Sequence, residues 1–216
     1  MENFSVEYYE TEDGTRPAEE FILSQDKKMQ AKLFMSLELL EIKGPGLREP
    51  YSKPLGDGIF EVRAKQGSDI SRVLYFFVVG QKVILTNGFV KKTAKTPPGE
   101  IARAKRYRAD YQQRKEDWPM GKNFRETLNE QLQDPEFKAE WDALEPERQI
   151  MRAIIEGRDE RDLTQKQLAE VTGIAQADIS RFENGTGNPS LRTLKRLAEG
   201  LGMSLKVEFV PKSTSA

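Results

Sequence analysis

Six cations stand out as the side chains able to do chemistry: Arg63, Lys65, Arg72, Lys91, Lys92 and Lys95. Arg63 and Lys65 are two positions apart, the spacing that sends strand neighbours to one face. Several cations on one sheet face would hold an RNA backbone. They would also stabilise the extra negative charge of a phosphorane-like transition state. Tyr75 adds an aromatic hydroxyl able to stack a base or orient a 2′-hydroxyl. The chain contains no histidine and no cysteine. That excludes disulfides, thiol nucleophiles and Cys/His zinc sites, and it removes the usual acid–base residue near neutral pH. No Asp/Glu cluster of metal-holding type is visible, so neither a metal nor a cofactor is expected.

These cations need a sheet to carry them. Strands are expected over 4–9, 59–65, 71–79 and 82–90, with Gly80-Gln81 closing a two-residue type II′ hairpin between the last two. Helices are expected over 17–23 and 26–42. In the second, Met29, Leu33, Leu37 and Leu40 recur at helical spacing, and Gly44-Pro45-Gly46 ends it. Thr96-Pro97-Pro98-Gly99 breaks the chain before a basic helix over 99–115, which carries Arg103 and Arg106. The order β-α-α-β-β-β-α implies one small antiparallel sheet packed against helices.

A second constellation lies further on, over 163–185. Thr164 can cap a helix, Leu168 and Val171 read as inward-facing, and Ala169 is small enough for a close crossing. Gly173 supplies a left-handed turn. Ile179 and Phe182 anchor a second helix whose outward residues are Gln176, Ala177, Ser180 and Arg181, all suited to base or phosphate contact. Asn184-Gly185 ends it. Asn188-Pro189-Ser190 starts another helix, with Leu191, Leu194, Leu197 and Leu201 as its buried side. Short helices are expected over 123–132, 135–144 and 146–158, and a last strand over 203–210, where Leu205, Val207 and Phe209 alternate with polar partners.

At 216 residues, two domains are expected. The seam falls at Glu116-Asp117-Trp118-Pro119-Met120-Gly121-Lys122-Asn123, where Pro119 and Gly121 interrupt regular structure and Met120 resembles the start of a second reading frame. The division is 1–117 for the sheet domain, 118–123 for the linker or fusion seam, 124–146 for an acidic helical segment, 147–210 for the second domain and 211–216 for a tail. Net charge is −1, but residues 82–115 hold ten Lys/Arg against two Asp/Glu, and 120–162 hold seven against twelve. The pattern suggests an anionic ligand for the first segment, with the acidic residues 126–147 docking on it; two solvated helix faces are the plainer alternative. No apolar run approaches membrane-spanning length, and the acidic N-terminus lacks the pattern of a signal peptide, so a cytoplasmic protein with no membrane partner is expected.

Residues 147–201 resemble the Xre/lambda-repressor family through the run TQKQLAEVTG, then ISRFENG, then NPSLRTLKRLAEGLG. The resemblance implies a helix-turn-helix fold with Gln165 and Gln176 facing DNA and Asn184 and Thr186 near phosphate. Ala177 there could touch only a thymine methyl. One such domain reads a half-site, which implies a homodimer through this half and operator DNA as partner. Residues 4–115 resemble the phage-derived branch of the RelE/HigB toxin superfamily, through GDGIFEVR, RVLYFF and GFVKKTAKTP. Members of that family cleave messenger RNA on the ribosome, without metal, by 2′-hydroxyl attack on the adjacent phosphate. The resemblance implies an α+β RelE-like fold with Arg63, Lys65, Arg72, Tyr75, Lys91 and Lys92 as catalytic candidates. Lys95, Arg103 and Arg106 become RNA-binding candidates. Asn87 stands where many relatives carry histidine, so a lysine of lowered pKa is the candidate base and an arginine the stabiliser. A HigB-like toxin followed by a HigA-like antitoxin is that family's gene order. The chain then reads as a type II toxin–antitoxin pair in one polypeptide, with the two parts in contact in cis or in trans. The alternative is a transcriptional regulator whose RelE-like domain is catalytically inactive and serves interaction.

Overall fold

A computed structural model describes residues 3–47, 49, 51–91, 95–114, 121–183, 185 and 187–209. Residues 116–120 of the expected seam and the expected tail over 211–216 lie outside the described residues. The chain divides into two compact units, residues 1–144 and 145–216. Among the described residues no helix is long and apolar enough to cross a membrane.

The first unit is built on a five-stranded sheet of order β1-β5-β4-β3-β2, with β1 Ser5–Tyr8, β2 Ser52–Gly56, β3 Ile59–Gln66, β4 Asp69–Val78 and β5 Lys82–Val90. Four of these strands form an antiparallel meander. β1 is the exception: it runs parallel to β5, with Ser5 opposite Lys82 and Tyr8 opposite Leu85. The sheet is therefore mixed and not purely antiparallel. Two helices between β1 and the meander make that return possible, since parallel neighbours need a long crossover. β2 carries no alternating apolar pattern, because it is an edge strand with Pro54 and a register shift between Pro54 and Gly56. The β4–β5 turn also departs from the type II′ expectation. Val78 pairs with Lys82, leaving three loop residues, and both Gly80 (φ 89°) and Gln81 (φ 58°) are left-handed.

Helices cover both sheet faces. α1 (Pro17–Leu23) and α2 (Lys27–Lys43) lie on one; Asp26 caps α2 by accepting from the Met29 amide. Ser36 Oγ donates to the Arg63 carbonyl at 3.0 Å, and Gly88 brings β5 so close to α1 that an added Cβ would sit 1.9 Å from Phe21. α3 (Pro98–Gln113) lies on the other, where Ala104 and Tyr111 close a core of Tyr9, Ile59, Leu74, Phe76 and Ile84.

The acidic segment joins this unit as α4 (Phe124–Gln131) and α5 (Pro135–Ala143). It packs on α1 and α2, away from α3, so the expected docking of acidic residues on the basic stretch is not what forms. Phe137 meets Phe34 edge-on at 5.7 Å and stacks on Trp141. The charges around it run opposite to the simple pattern. Arg125 reaches Glu38 at 2.6 Å and Glu41 at 2.5 Å, and Lys122 reaches Glu19 at 2.6 Å. Lys27 with Asp134, at 2.6 Å, does have the expected polarity. Phe124, Leu128, Phe137 and Trp141 bury their apolar side chains in the contact, and the ion pairs on the largely buried Glu19 and Glu38 flank them.

The second unit is helical: α6 (Glu145–Asp159), α7 (Gln165–Thr172), α8 (Gln176–Glu183) and α9 (Leu191–Gly200). Ile154, Leu168, Ile174, Ile179, Phe182, Leu197 and Leu201 form its core. Three expected core residues are not in it, Leu194 being only half-buried. Val171 is 64% exposed, with Thr172 buried in its place, and Leu191 lies exposed in the first turn of α9. Thr172 wins because its hydroxyl donates to the Leu168 carbonyl while its methyl faces Gly200 closely. The expected C-terminal strand is absent from residues 203–209, which have no ladder partner among the described residues.

Candidate functional site

The register of the meander decides which cations meet. Arg63 lies directly opposite Arg72, Lys65 opposite Ile70, Glu61 opposite Leu74, and Phe89 of β5 opposite Arg72. Opposed residues share a face. Glu61, Arg63, Lys65, Arg72 and Phe89 therefore look the same way, toward the α3 side. Tyr75 lies opposite Phe60 and looks the other way. It is 1% exposed, stacks on Phe60 at 5.5 Å and shares a 2.6 Å hydrogen bond with Ser52 Oγ. It is a core residue of the α1–α2 side and is not placed to stack a base beside the arginines.

Glu61, which sequence reasoning did not single out, organises the cluster. It is 0% exposed. One oxygen accepts from Arg63, at 2.7 Å from Nε and 2.5 Å from Nη2. The other accepts from Arg72 Nη1 at 2.8 Å and from Thr96 Oγ1 at 2.7 Å. Arg72 also donates to Thr96 Oγ1 at 2.5 Å and is only 4% exposed. Among the described residues its buried Nε has no acceptor. The expected open cationic groove is thus closed at Arg72, where Thr96 lies over it, and half-open at Arg63. The only signal for Glu61 in the sequence is its period-two spacing from Arg63, an acid on the face expected to be cationic.

The remaining candidates ring this cluster. Lys65 is exposed on the same face, and its carbonyl accepts from Lys32 Nζ at 3.1 Å. Lys91 is half-buried just past β5, Lys95 is exposed, and Lys92 lies outside the described residues. Arg103 and Arg106 are exposed on α3, Arg103 pairing with Glu100 at 3.5 Å. Asn87 is buried and donates to Glu100 Oε2 at 2.8 Å, which ties β5 to the start of α3.

In the second unit, Thr164 and Gln167 form a reciprocal capping box at the start of α7, and Gly173 ends it in a left-handed conformation at φ 65°. Arg196 closes the same helix end by donating to the Thr172 carbonyl at 2.6 and 3.0 Å. This rigid turn presents the first residues of α8 outward: Gln176 and Ala177 are exposed, as is Arg181, while Ser180 is half-buried. Gln165 is held differently. Its Nε2 donates to the buried Glu183 at 2.8 Å, and Arg158 holds the other Glu183 oxygen at 2.7 Å. Asn184 and Thr186 lie outside the described residues. The arrangement offers a helix N-terminus whose outward side chains, Gln176 and Ala177, are short enough to enter a groove.

Residues 20–109 match the family described as phage-derived protein Gp49-like, and residues 154–207 match a helix-turn-helix family. The chain is similar to the antitoxin HigA1 of Mycobacterium tuberculosis, 32% identical over 92 residues, which is 42% of this chain and 62% of that protein. An HTH-type transcriptional regulator of Haemophilus influenzae is 36% identical over 58 residues, covering 27% of this chain and 59% of that protein. The HTH-type transcriptional repressor RghR of Bacillus subtilis is 53% identical over 45 residues, 20% of this chain and 33% of that protein. The chain therefore spans less than two thirds of the length of these relatives.

Proposed function

We propose that this polypeptide is a type II toxin–antitoxin pair in one chain, with a RelE/HigB-like toxin followed by a HigA-like antitoxin that binds operator DNA as a homodimer and represses its own operon. The observation that carries the reading is the docking of α4 and α5 on α1 and α2: the segment just ahead of the helix-turn-helix packs its apolar side on the Gp49-like unit. That docking supports a toxin–antitoxin contact in cis over one in trans. The compartment is the cytoplasm, where operator and ribosomes both lie.

The toxin's reaction is cleavage of ribosome-bound messenger RNA. The 2′-oxygen attacks the adjacent phosphorus and the 5′-oxygen leaves, giving a 2′,3′-cyclic phosphate. Arg63 and Arg72 neutralise the phosphorane charge. Among the lysines, Lys65 shares their face and is exposed, which makes it the candidate to take the 2′-proton. Arg72 must first leave Thr96. α4 and α5 do not lie over this face, so neutralisation acts on ribosome access and not by plugging the site.

The test compares ribosomal mRNA cleavage and growth arrest by the full chain and by residues 1–117, with 118–216 supplied in trans as control. Arrest by 1–117, relieved in trans, with 2′,3′-cyclic or 3′-phosphate ends, supports the reading. Cleavage that needs added Mg²⁺ and leaves 3′-hydroxyl ends refutes the mechanism. A second reading, a regulator whose RelE-like domain is inactive and serves interaction, is favoured by the burial of Arg72 on Glu61. A folded, silent 1–117 would establish it.

A further inference from the structure

Half of the exposed large apolar side chains among the described residues fall in one seven-residue stretch: Met203, Leu205, Val207 and Phe209, the last 97% exposed. The chain enters this stretch through a defined stop. Gly202 is left-handed at φ 58°, its amide donates to the Glu199 carbonyl at 2.9 Å, and the Met203 amide donates to the Ala198 carbonyl at 2.7 Å. Those two bonds form a Schellman motif, which ends α9. The stretch then alternates strictly, with Leu205, Val207 and Phe209 on one side and Lys206 and Glu208 on the other. Lys206 Nζ and Glu208 Oε2 are 2.8 Å apart, so the polar side is a single face. The alternation is that of a strand, and among the described residues it has no ladder partner.

Among the described residues, neither edge of the first unit's sheet is a good template for it. Outside β1, the Tyr8 amide donates to the Lys122 carbonyl at 3.0 Å and Glu7 bridges Asn123. The other edge, β2, carries Pro54 and a bulge. A second copy of the same stretch fits better, because the stretch is complementary to itself. In an antiparallel pair centred on Val207, Val207 faces its own copy, Leu205 faces Phe209, and Lys206 faces Glu208 on both sides of the two-fold axis. Each opposed pair within residues 205–209 is then either apolar or oppositely charged, and both kinds stabilise a ladder. An isologous contact of this kind closes at two copies.

We propose that residues 205–209 pair antiparallel with the same residues of a second chain, centred on Val207, and that this ribbon is the dimer surface of the helix-turn-helix half. The proposal rests on the dimeric operator binding inferred above, and it names the surface.

The experiment uses the full chain. Sedimentation across a concentration series reads the dimer without DNA. Lys206→Glu and Glu208→Lys each set like charges opposite one another twice per dimer and should raise the dissociation constant by about tenfold. An equimolar mixture of the two should restore tight association as a heterodimer, since both charges of one chain then face charges of the opposite sign on the other. An effect on the intrachain pair alone would not be rescued by mixing. The chain has no cysteine, so Val207→Cys provides a second reading: it should cross-link to its own copy on oxidation, whereas Lys206→Cys, which lies two positions from its own copy in this register, should not. A wild-type chain that stays monomeric, single variants that dimerise like wild type, or equal cross-linking at 206 and 207 would each overturn the proposal. A dimer with these properties that fails to bind operator DNA would leave the ribbon standing and refute the functional reading.

Discussion

Arg72→Ala is the perturbation that separates chemistry from architecture in the first unit. On sequence grounds the change removes one charge-stabilising cation and leaves the fold intact. The structure requires otherwise, because Arg72 is 4% exposed and holds a carboxylate that is 0% exposed. Removing one member of a buried pair costs about 3–5 kcal/mol, since the other is left with an unpaired charge. Glu61 keeps Arg63 at 2.5 Å and Thr96 at 2.7 Å, so part of its solvation survives. The expected loss is therefore about 2–4 kcal/mol, below the full cost of stranding a buried charge. Urea denaturation followed by the fluorescence of Trp141, on a Trp118→Phe background, reads this unit. With a slope of about 1–3 kcal/mol per molar urea, the midpoint should fall by roughly 1–2 M. Glu61→Gln should fall similarly, and the double variant should lose less than the two single losses added together, because each already removes the shared contact. Arg72→Lys keeps a charge near Glu61 but loses the planar fork, so it should retain more stability and makes the cleaner probe of cleavage. A midpoint unchanged by Arg72→Ala would refute the buried pair and return Arg72 to an open groove.

Three further outcomes are expected. Phe137→Ala empties the fully buried contact with Phe34 and should cost about 3–5 kcal/mol, read as lost amide-exchange protection in α2 and α5; protection retained in both would show that α5 does not dock there. Burial works against the Glu19 carboxylate, but hydrogen bonds from Lys122 and Thr127 outweigh it and hold its pKa below the usual value. A lowered pKa adds stability above the ordinary glutamate value of about 4.3 that is lost as pH falls through the lowered value, so the packing of α4 on α1 should weaken in acid. Amide exchange of α4 should track that loss, and Glu19→Gln should flatten it. Gln176→Ala should cost roughly 1–3 kcal/mol at one operator base pair and relax specificity there, measured by binding to a set of single-substitution sites; unchanged affinity and preference would remove α8 from the groove.

Local signals marked most elements of both units. The capping box at Thr164, the left-handed Gly173 and the apolar spacing of Ile179 and Phe182 define the helix-turn-helix from neighbours a few residues apart. The strands β3, β4 and β5 follow from alternation, and α2 from its apolar spacing and its stop at Gly44. Such features are set within one turn or one strand, so the sequence by itself determined them. What it could not determine depends on long-range register and on burial. Strand pairing sets Arg63 against Arg72 and turns Tyr75 to the opposite face, and no count along one strand says which neighbour it meets. The role of Glu61 appears only when two strands and the Thr96 segment converge on it. The parallel placement of β1 pairs residues nearly eighty positions apart, across the α1–α2 crossover and most of the meander. Net charge pointed the acidic segment at the basic stretch, but α5 packs on α2 with the apolar side chains of Phe137 and Trp141 buried there. The strand expected over 203–210 has no ladder partner among the described residues, since a strand exists by virtue of the neighbour that completes its hydrogen bonds.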